Sequence, residues 1–426
     1  MAAETIKTTP AQAASQRATF FRQSGWLMIA AMASGALMWG VHFLAKKIPA
    51  AEYGTLITLF SIVSLIPAIP FQMVFTHQTA AGLAKNQERR LTSMLRASWL
   101  GIFLFWLAAM VVVFIFRDQI VANWHLANPL ALWMTMVVIL FSLWMPMFQG
   151  VMQGQQNFLW LGWSNIFNGI CRLGPAVFIV FALHGQATGI MTGVFLGFLA
   201  GTLVGIWQTR ALWLGKSEPF NRRDFLREVV PLLLGFAATQ FLFCADTSFV
   251  NSYFGAEQTA PYGAAGTLSR ALLWLVLPLA AVMFPKIVHS TAKSEKSNLL
   301  GLVLLGTAVL VGIGVLCLWI LGPIVVRIVY PPEYVAQTLA ILPWYAGAMV
   351  PLALANVLVN DLLGRGKFQI VPFLVVLAVF YGLALTQYHD SFIAVLKMLG
   401  GFNLALFAIC AWFVWGKRGA QIAAGK

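Results

Sequence analysis

Arg172, Asp246, Arg270 and Lys397 each interrupt a long apolar run. At membrane depth an ionisable side chain costs on the order of 3 kcal/mol if it meets lipid, so such groups face a cavity, a partner or a transported ligand. Arg172 lies near the middle of its run, too deep to snorkel to either surface. It is read as an anion ligand lining an internal chamber, the other reading being a guanidinium paired with helix carbonyls or a buried aspartate. Asn165 and Asn168 precede it at spacings of three, four and seven, which puts all three on one helix face and offers a sugar or phosphate surface. The same amides can instead serve hydrogen bonds between helices. Asp246 and Arg270 fall about eight residues either side of a turn between two apolar runs, so an antiparallel hairpin sets them at one depth. They form a structural ion pair, or Arg270 meets substrate while Asp246 exchanges a proton or cation. Lys397, about five residues into the last run, either joins this cationic wall or snorkels. Facing one chamber, these groups suit an anionic ligand better than a cationic one.

Other chemistry is absent from the pattern. There is no GxxxxGK[ST] phosphate loop, HExxH or GxSxG, so the chain does not read as an enzyme or an ATP-driven pump. Cys171, Cys244, Cys317 and Cys410 sit in apolar runs without a CxxC pair, as packing residues and not metal ligands. No cofactor or metal site is expected.

The elements that must position these residues follow from composition. Of 426 residues 60% are hydrophobic and 9% charged, against about 25% charged in a soluble domain. Lipid is the solvent, and the net charge of +14 is read as membrane topology before nucleic-acid binding. Twelve runs are long enough for a membrane helix: 25–45, 54–75, 95–116, 129–149, 158–183, 187–208, 229–254, 262–285, 299–322, 339–359, 370–386 and 392–415. The first follows a polar segment and has no small-residue cleavage site, which argues against a removed signal peptide. With the N-terminus cytoplasmic, 20 of the 27 lysines and arginines fall inside and four outside, which places both termini in the cytoplasm.

The chain divides accordingly into an N-terminal tail (1–24), a first six-helix lobe (25–209), a linker (210–228), a second lobe (229–415) and a C-terminal tail (416–426). The two lobes read as a duplication. Tyr53-Gly54 and Tyr262-Gly263 open equivalent runs 209 positions apart, with Phe75 and Phe284 closing them. Gly154 to Phe158 and Gly364 to Phe368 follow at an offset of 210. Because six helices separate equivalents, the repeat is parallel. Pro70 and Pro278 predict bends at equivalent places. The fold class expected is an all-α polytopic membrane protein, about twelve helices in two pseudo-symmetric lobes around a central cavity.

Four segments carry a family resemblance: Ala51-Glu-Tyr-Gly54, Gln153-Gly-Gln-Gln-Asn-Phe158, Tyr330-Pro-Pro-Glu-Tyr334 and Leu363-Gly-Arg-Gly-Lys-Phe368. In order and placement they resemble the polysaccharide-transporter branch of the multidrug/oligosaccharidyl-lipid/polysaccharide exporter superfamily, which includes O-antigen and exopolysaccharide flippases. The resemblance implies a flippase moving undecaprenyl-pyrophosphate-linked oligosaccharide across the bacterial inner membrane by alternating access. Its implied partners are the lipid-linked glycan, membrane lipids, and glycosyltransferases or a polymerase of the same pathway, with no nucleic acid. It supplies no fixed substrate motif, so the assignments above rest on burial. Two other functions compete: a non-transporting membrane subunit of a polysaccharide synthase complex, and a small-molecule drug or cation exporter. The latter needs an acidic chamber, for which only Asp246 is a candidate.

Overall fold

The computed structural model describes residues 10–44, 59, 63, 66, 68–123, 129–219, 221–254, 256–292, 299–329, 332–388 and 390–416. Among them there is no strand. The helices are α1 (Pro10–Leu44), α2 (Ala68–Ala84), α3 (Glu88–Ile115), the short α4 (Arg117–Asn123), α5 (Pro129–Gly154), α6 (Phe158–Ala182) and α7 (Gln186–Trp213) in the first lobe. The second lobe holds α8 (Arg222–Tyr253), α9 (Ala256–Ala292), α10 (Leu299–Val329), α11 (Pro332–Gly364), α12 (Val371–Gln387, after a 3-10 turn at Phe368–Ile370) and α13 (Phe392–Ala411, continued by a π turn). Ten of the described helices are long and apolar enough to cross a membrane; α1 spans 25–44 of the first expected run, whereas α2 overlaps the second only over 68–75.

Several helices outrun their apolar segments. α1 starts 15 residues before the predicted run, and α2 continues nine residues beyond Phe75, where Thr76, His77, Gln78 and Thr79 are buried. α2 begins after a bend at Ile66, which leaves Pro70 in its first turn where no helix hydrogen bond is lost. Pro278 instead lies inside α9, so the two prolines occupy different positions in their helices. The motifs at 51–54 and 330–331 lie outside the described residues.

The duplication is visible in the turns. After α5, the amides of Gln155, Gln156 and Asn157 donate to the carbonyls of Val151, Gln153 and Met152 at 2.9 Å each. After α11, those of Arg365, Gly366 and Lys367 donate to Asp361, Leu363 and Leu362 at 3.0, 3.0 and 2.9 Å, the same pattern 210 residues on. This left-handed helix stop satisfies carbonyls that the last helical turn leaves open. It demands a positive φ, supplied at no steric cost by Gly366 (69°) but imposed on Gln156 (59°). A third copy follows α2, with Asn86 at 55°.

α7 carries glycine at 189, 193, 197, 201 and 205, one per helical turn on one face. A Cβ at Gly197 would lie 2.6 Å from the Asn168 carbonyl and 2.8 Å from Arg172 Cβ, so α6 and α7 approach to backbone contact. Farther along the stripe, Gly201 faces Met145 and Gly205 faces Phe148, both on α5. That seam fixes the depth and heading of Arg172. By contrast, α3 buries only Leu91, Thr92, Met94 and Leu95 in its first two turns, and presents residues such as Phe105 and Ile115 outward.

Candidate functional site

The second lobe contains a closed polar knot. Asp246 on α8 is fully buried and accepts from Arg270 at 2.7 Å and Tyr262 Oη at 2.8 Å, with Tyr345 Oη donating to the same carboxylate. Arg270 on α9 also donates to Thr247 Oγ1 at 2.6 Å and to the Phe243 carbonyl at 3.1 Å. Its guanidinium lies 5.5 Å from the ring centres of both Phe243 and Tyr345. The pair is thus an ion pair in this conformation, with the carboxylate's further lone pairs filled by phenols. A buried ion pair is tolerated on those terms, because desolvation is offset only by good geometry and additional hydrogen bonds. The Tyr381 hydroxyl is buried in the same lobe without a hydrogen-bond partner in the structure.

In the first lobe, Arg172, Asn165 and Asn168 do share a face, and it turns toward α5 and α7. Asn165 accepts from Gln149 Nε2 at 2.9 Å, and Asn168 donates to Met145 Sδ at 3.6 Å. Ser164 on the same helix donates to the Gly201 carbonyl at 3.2 Å. These are interhelical hydrogen bonds of the kind that hold membrane helices together. Arg172 differs. Its guanidinium stacks 5.4 Å from the Phe198 ring, its Nε is buried without a hydrogen bond, and no carboxylate pairs with it among the described residues. Lys397 is exposed, with its ammonium 5.2 Å from the Trp344 ring centre.

The single chamber-facing cluster expected from the sequence is therefore not assembled. Arg270 and Asp246 lock onto each other inside one lobe, Arg172 contacts only its own lobe among the bonds described, and Lys397 rests on α11. Tyr262, Tyr345 and Thr247 were not among the expected site residues, although tyrosines in apolar runs near a buried Asp are the natural donors to it.

The lobes meet at the basic end, where the α2–α3, α5–α6 and α11–α12 turns lie. Gln153 on α5 donates to the Ala281 carbonyl on α9 at 2.8 Å and accepts from Gln72 at 2.8 Å. Gln78 on α2 donates to Glu228 on α8 at 3.0 Å. His77 lies 6.2 Å from the Phe284 ring and 6.3 Å from that of Phe368. One buried cluster joins Phe20, Met152, Phe158 and Leu161 to Val282, Met283 and Ile287 across the lobes. At the opposite end, the cluster around Leu44, Ala131, Ala187 and Met191 is built from first-lobe residues.

A family model described as "Polysaccharide biosynthesis protein" matches residues 20–291. The chain belongs to that family. The fold is that of MATE transporters. A MATE in the straight conformation superposes with a TM-score of 0.79 at 11% identity, covering 96% of each chain. A mutant of the Vibrio cholerae MATE transporter VcmN gives 0.76 at 11% identity, over 96% of this chain and 98% of that one. An outward-facing multidrug resistance MATE family transporter of the MOP superfamily gives 0.77 at 10% identity over 96% of both chains. No curated protein matches the sequence. Family and fold together make this a polysaccharide biosynthesis protein with the two-lobed helical fold of MATE transporters, and ten of its described helices are long and apolar enough to cross a membrane.

Proposed function

We propose that the chain flips undecaprenyl-pyrophosphate-linked oligosaccharide across the bacterial inner membrane by alternating access, with both termini in the cytoplasm. The observation that carries this reading is Arg172, half-buried at membrane depth, whose Nε is buried without a hydrogen bond and which has no carboxylate partner among the described residues. Such a charge needs an anion, and a pyrophosphate supplies one while its polyprenyl tail remains in the bilayer. Asn165 and Asn168, bonded to Gln149 and Met145 in this conformation, meet sugar when those bonds exchange. Arg270 and Lys397 complete the cationic surface from the other lobe, Arg270 becoming available when Asp246 takes up a proton or cation and releases it. Asp246 is thus the coupling group. The described contacts fit a state closed at the basic, cytoplasmic end and separated toward the outside, in which cargo is released.

With the cytoplasm negative, outward movement of an anionic head group is favoured by about 2.3 kcal/mol per charge at 100 mV, without ATP. Glycosyltransferases or a polymerase of the pathway would supply and consume the cargo. The test is translocation of lipid-linked glycan in inverted vesicles, comparing wild type with Arg172→Ala, Arg172→Lys and Arg270→Ala. Loss of transport in Arg172→Ala with partial recovery in Arg172→Lys is the expected result. Undiminished transport in Arg172→Ala removes the residue from the substrate path.

A further inference from the structure

At the basic end, α2, α3 and α8 line an open cleft that spans the seam between the lobes. Its rim carries two cations, Lys85 on the α2–α3 turn and Arg90 in the first turn of α3. Neither forms an ion pair among the described residues, whereas the neighbouring Arg89 pairs with Glu218 at 3.0 Å. The first-turn N–H groups of α3 also lack a side-chain cap, since Gln87 at the N-cap makes no such bond. The first turn of α3, which also carries Glu88, adds the partial positive charge of a helix N-terminus beside these two cations. Across the cleft stands one carboxylate, Glu228 on α8, which accepts from Gln78 through one oxygen. The inner wall is apolar: Leu91, Met94 and Phe225.

We infer that this cleft binds a phospholipid of the adjoining leaflet whose phosphate carries an amine, with the phosphate at Lys85 and Arg90 and the ammonium at Glu228. Two cations facing one carboxylate match a zwitterionic headgroup better than a simple anion. The change from charged rim to apolar wall within one turn of α3 matches the boundary between headgroup and acyl chain. Because α2 and α3 belong to one lobe and α8 to the other, the site exists only while the basic end is closed. A ligand held there stabilises that conformation by mass action.

Native mass spectrometry of the full chain in detergent, with equimolar phosphatidylethanolamine, phosphatidylglycerol and phosphatidylcholine, tests this. Wild type is expected to retain phosphatidylethanolamine at least fivefold over each of the others. Lys85→Ala/Arg90→Ala reduces bound lipid about tenfold. The isosteric Glu228→Gln keeps total binding but brings the ethanolamine preference over phosphatidylglycerol to about one. Equal retention of the three lipids by wild type, or unchanged selectivity in Glu228→Gln, overturns the assignment. Displacement of the lipid by an equal concentration of inorganic phosphate also overturns it, assigning the cleft to a free anion.

Discussion

Truncating Arg270 separates a structural arginine from one held in reserve for cargo. Arg270→Ala removes a 2.7 Å charge-assisted bond to Asp246, a 2.6 Å bond to Thr247 and two ring contacts, from a side chain only 14% exposed. Asp246 is then left fully buried with two phenol donors and no countercharge. Breaking a buried pair from one side costs about 3–5 kcal/mol, most of it the penalty of the stranded charge. Removing both charges in Asp246→Asn/Arg270→Gln should restore stability to within about 2 kcal/mol of wild type, because an amide pair needs no compensation for a buried ion. With Asp246→Asn and Arg270→Gln alone each costing about 3–5 kcal/mol, the coupling energy of that double-mutant cycle is therefore expected at about 4 kcal/mol or more. Denaturant unfolding of the detergent-solubilised protein, followed by tryptophan fluorescence, measures it. Additive single-variant effects, or no destabilisation in Arg270→Ala, would refute the claim that the knot is a paired and hydrogen-bonded unit.

Gly197→Ala drives a methyl into the Asn168 carbonyl and Arg172 Cβ, so unfolding stability should fall by about 1–3 kcal/mol, with Gly174→Ala, which meets nothing, as the control. Gln153→Ala loses both its bond to Gln72 and its bond to the Ala281 carbonyl across the seam. At about 1 kcal/mol per bond, the basic end should open more often, read as faster thiol labelling of a cysteine introduced at Ala81. Unchanged labelling would count against the seam as a gate. Gln156→Gly relieves a non-glycine residue at φ 59° and should stabilise the chain by about 0.5–1 kcal/mol in the same unfolding assay.

Much of the architecture is legible in the sequence because lipid imposes one rule: every backbone group must be satisfied within its own segment, so apolar runs become helices. The repeat is legible for a related reason. A helix stop needs its positive-φ residue at a fixed place, and Gly364 to Phe368 keeps the spacing of Gly154 to Phe158. Side-chain partners were less accessible. The face holding Asn165, Asn168 and Arg172 follows from helical spacing, but the direction in which it points is decided by the glycine stripe of α7. The stripe is itself visible in the sequence at four-residue intervals and predicts the α6–α7 contact once read as a packing surface. Nothing in residue spacing assigns Tyr345 to Asp246, 99 positions away, since that contact depends on how α11 settles against α8 and α9.

The two lobes share a backbone plan but treat their buried arginines differently, and this asymmetry constrains how an anion can be moved. Arg270 is neutralised by Asp246 and so contributes little attraction until the carboxylate is discharged. Arg172 has an aromatic face for a partner and no acid among the described residues, so its charge remains available. On the proposed function, an anion entering between the lobes would therefore be drawn to the first lobe in the absence of a coupling ion. It gains a second cation only when Asp246 takes one up. On the proposed function, binding of cargo to both lobes would be linked to ion uptake through a single bond, and the linkage would be reciprocal: a bound pyrophosphate would compete with Asp246 for Arg270 and raise the carboxylate's affinity for its ion.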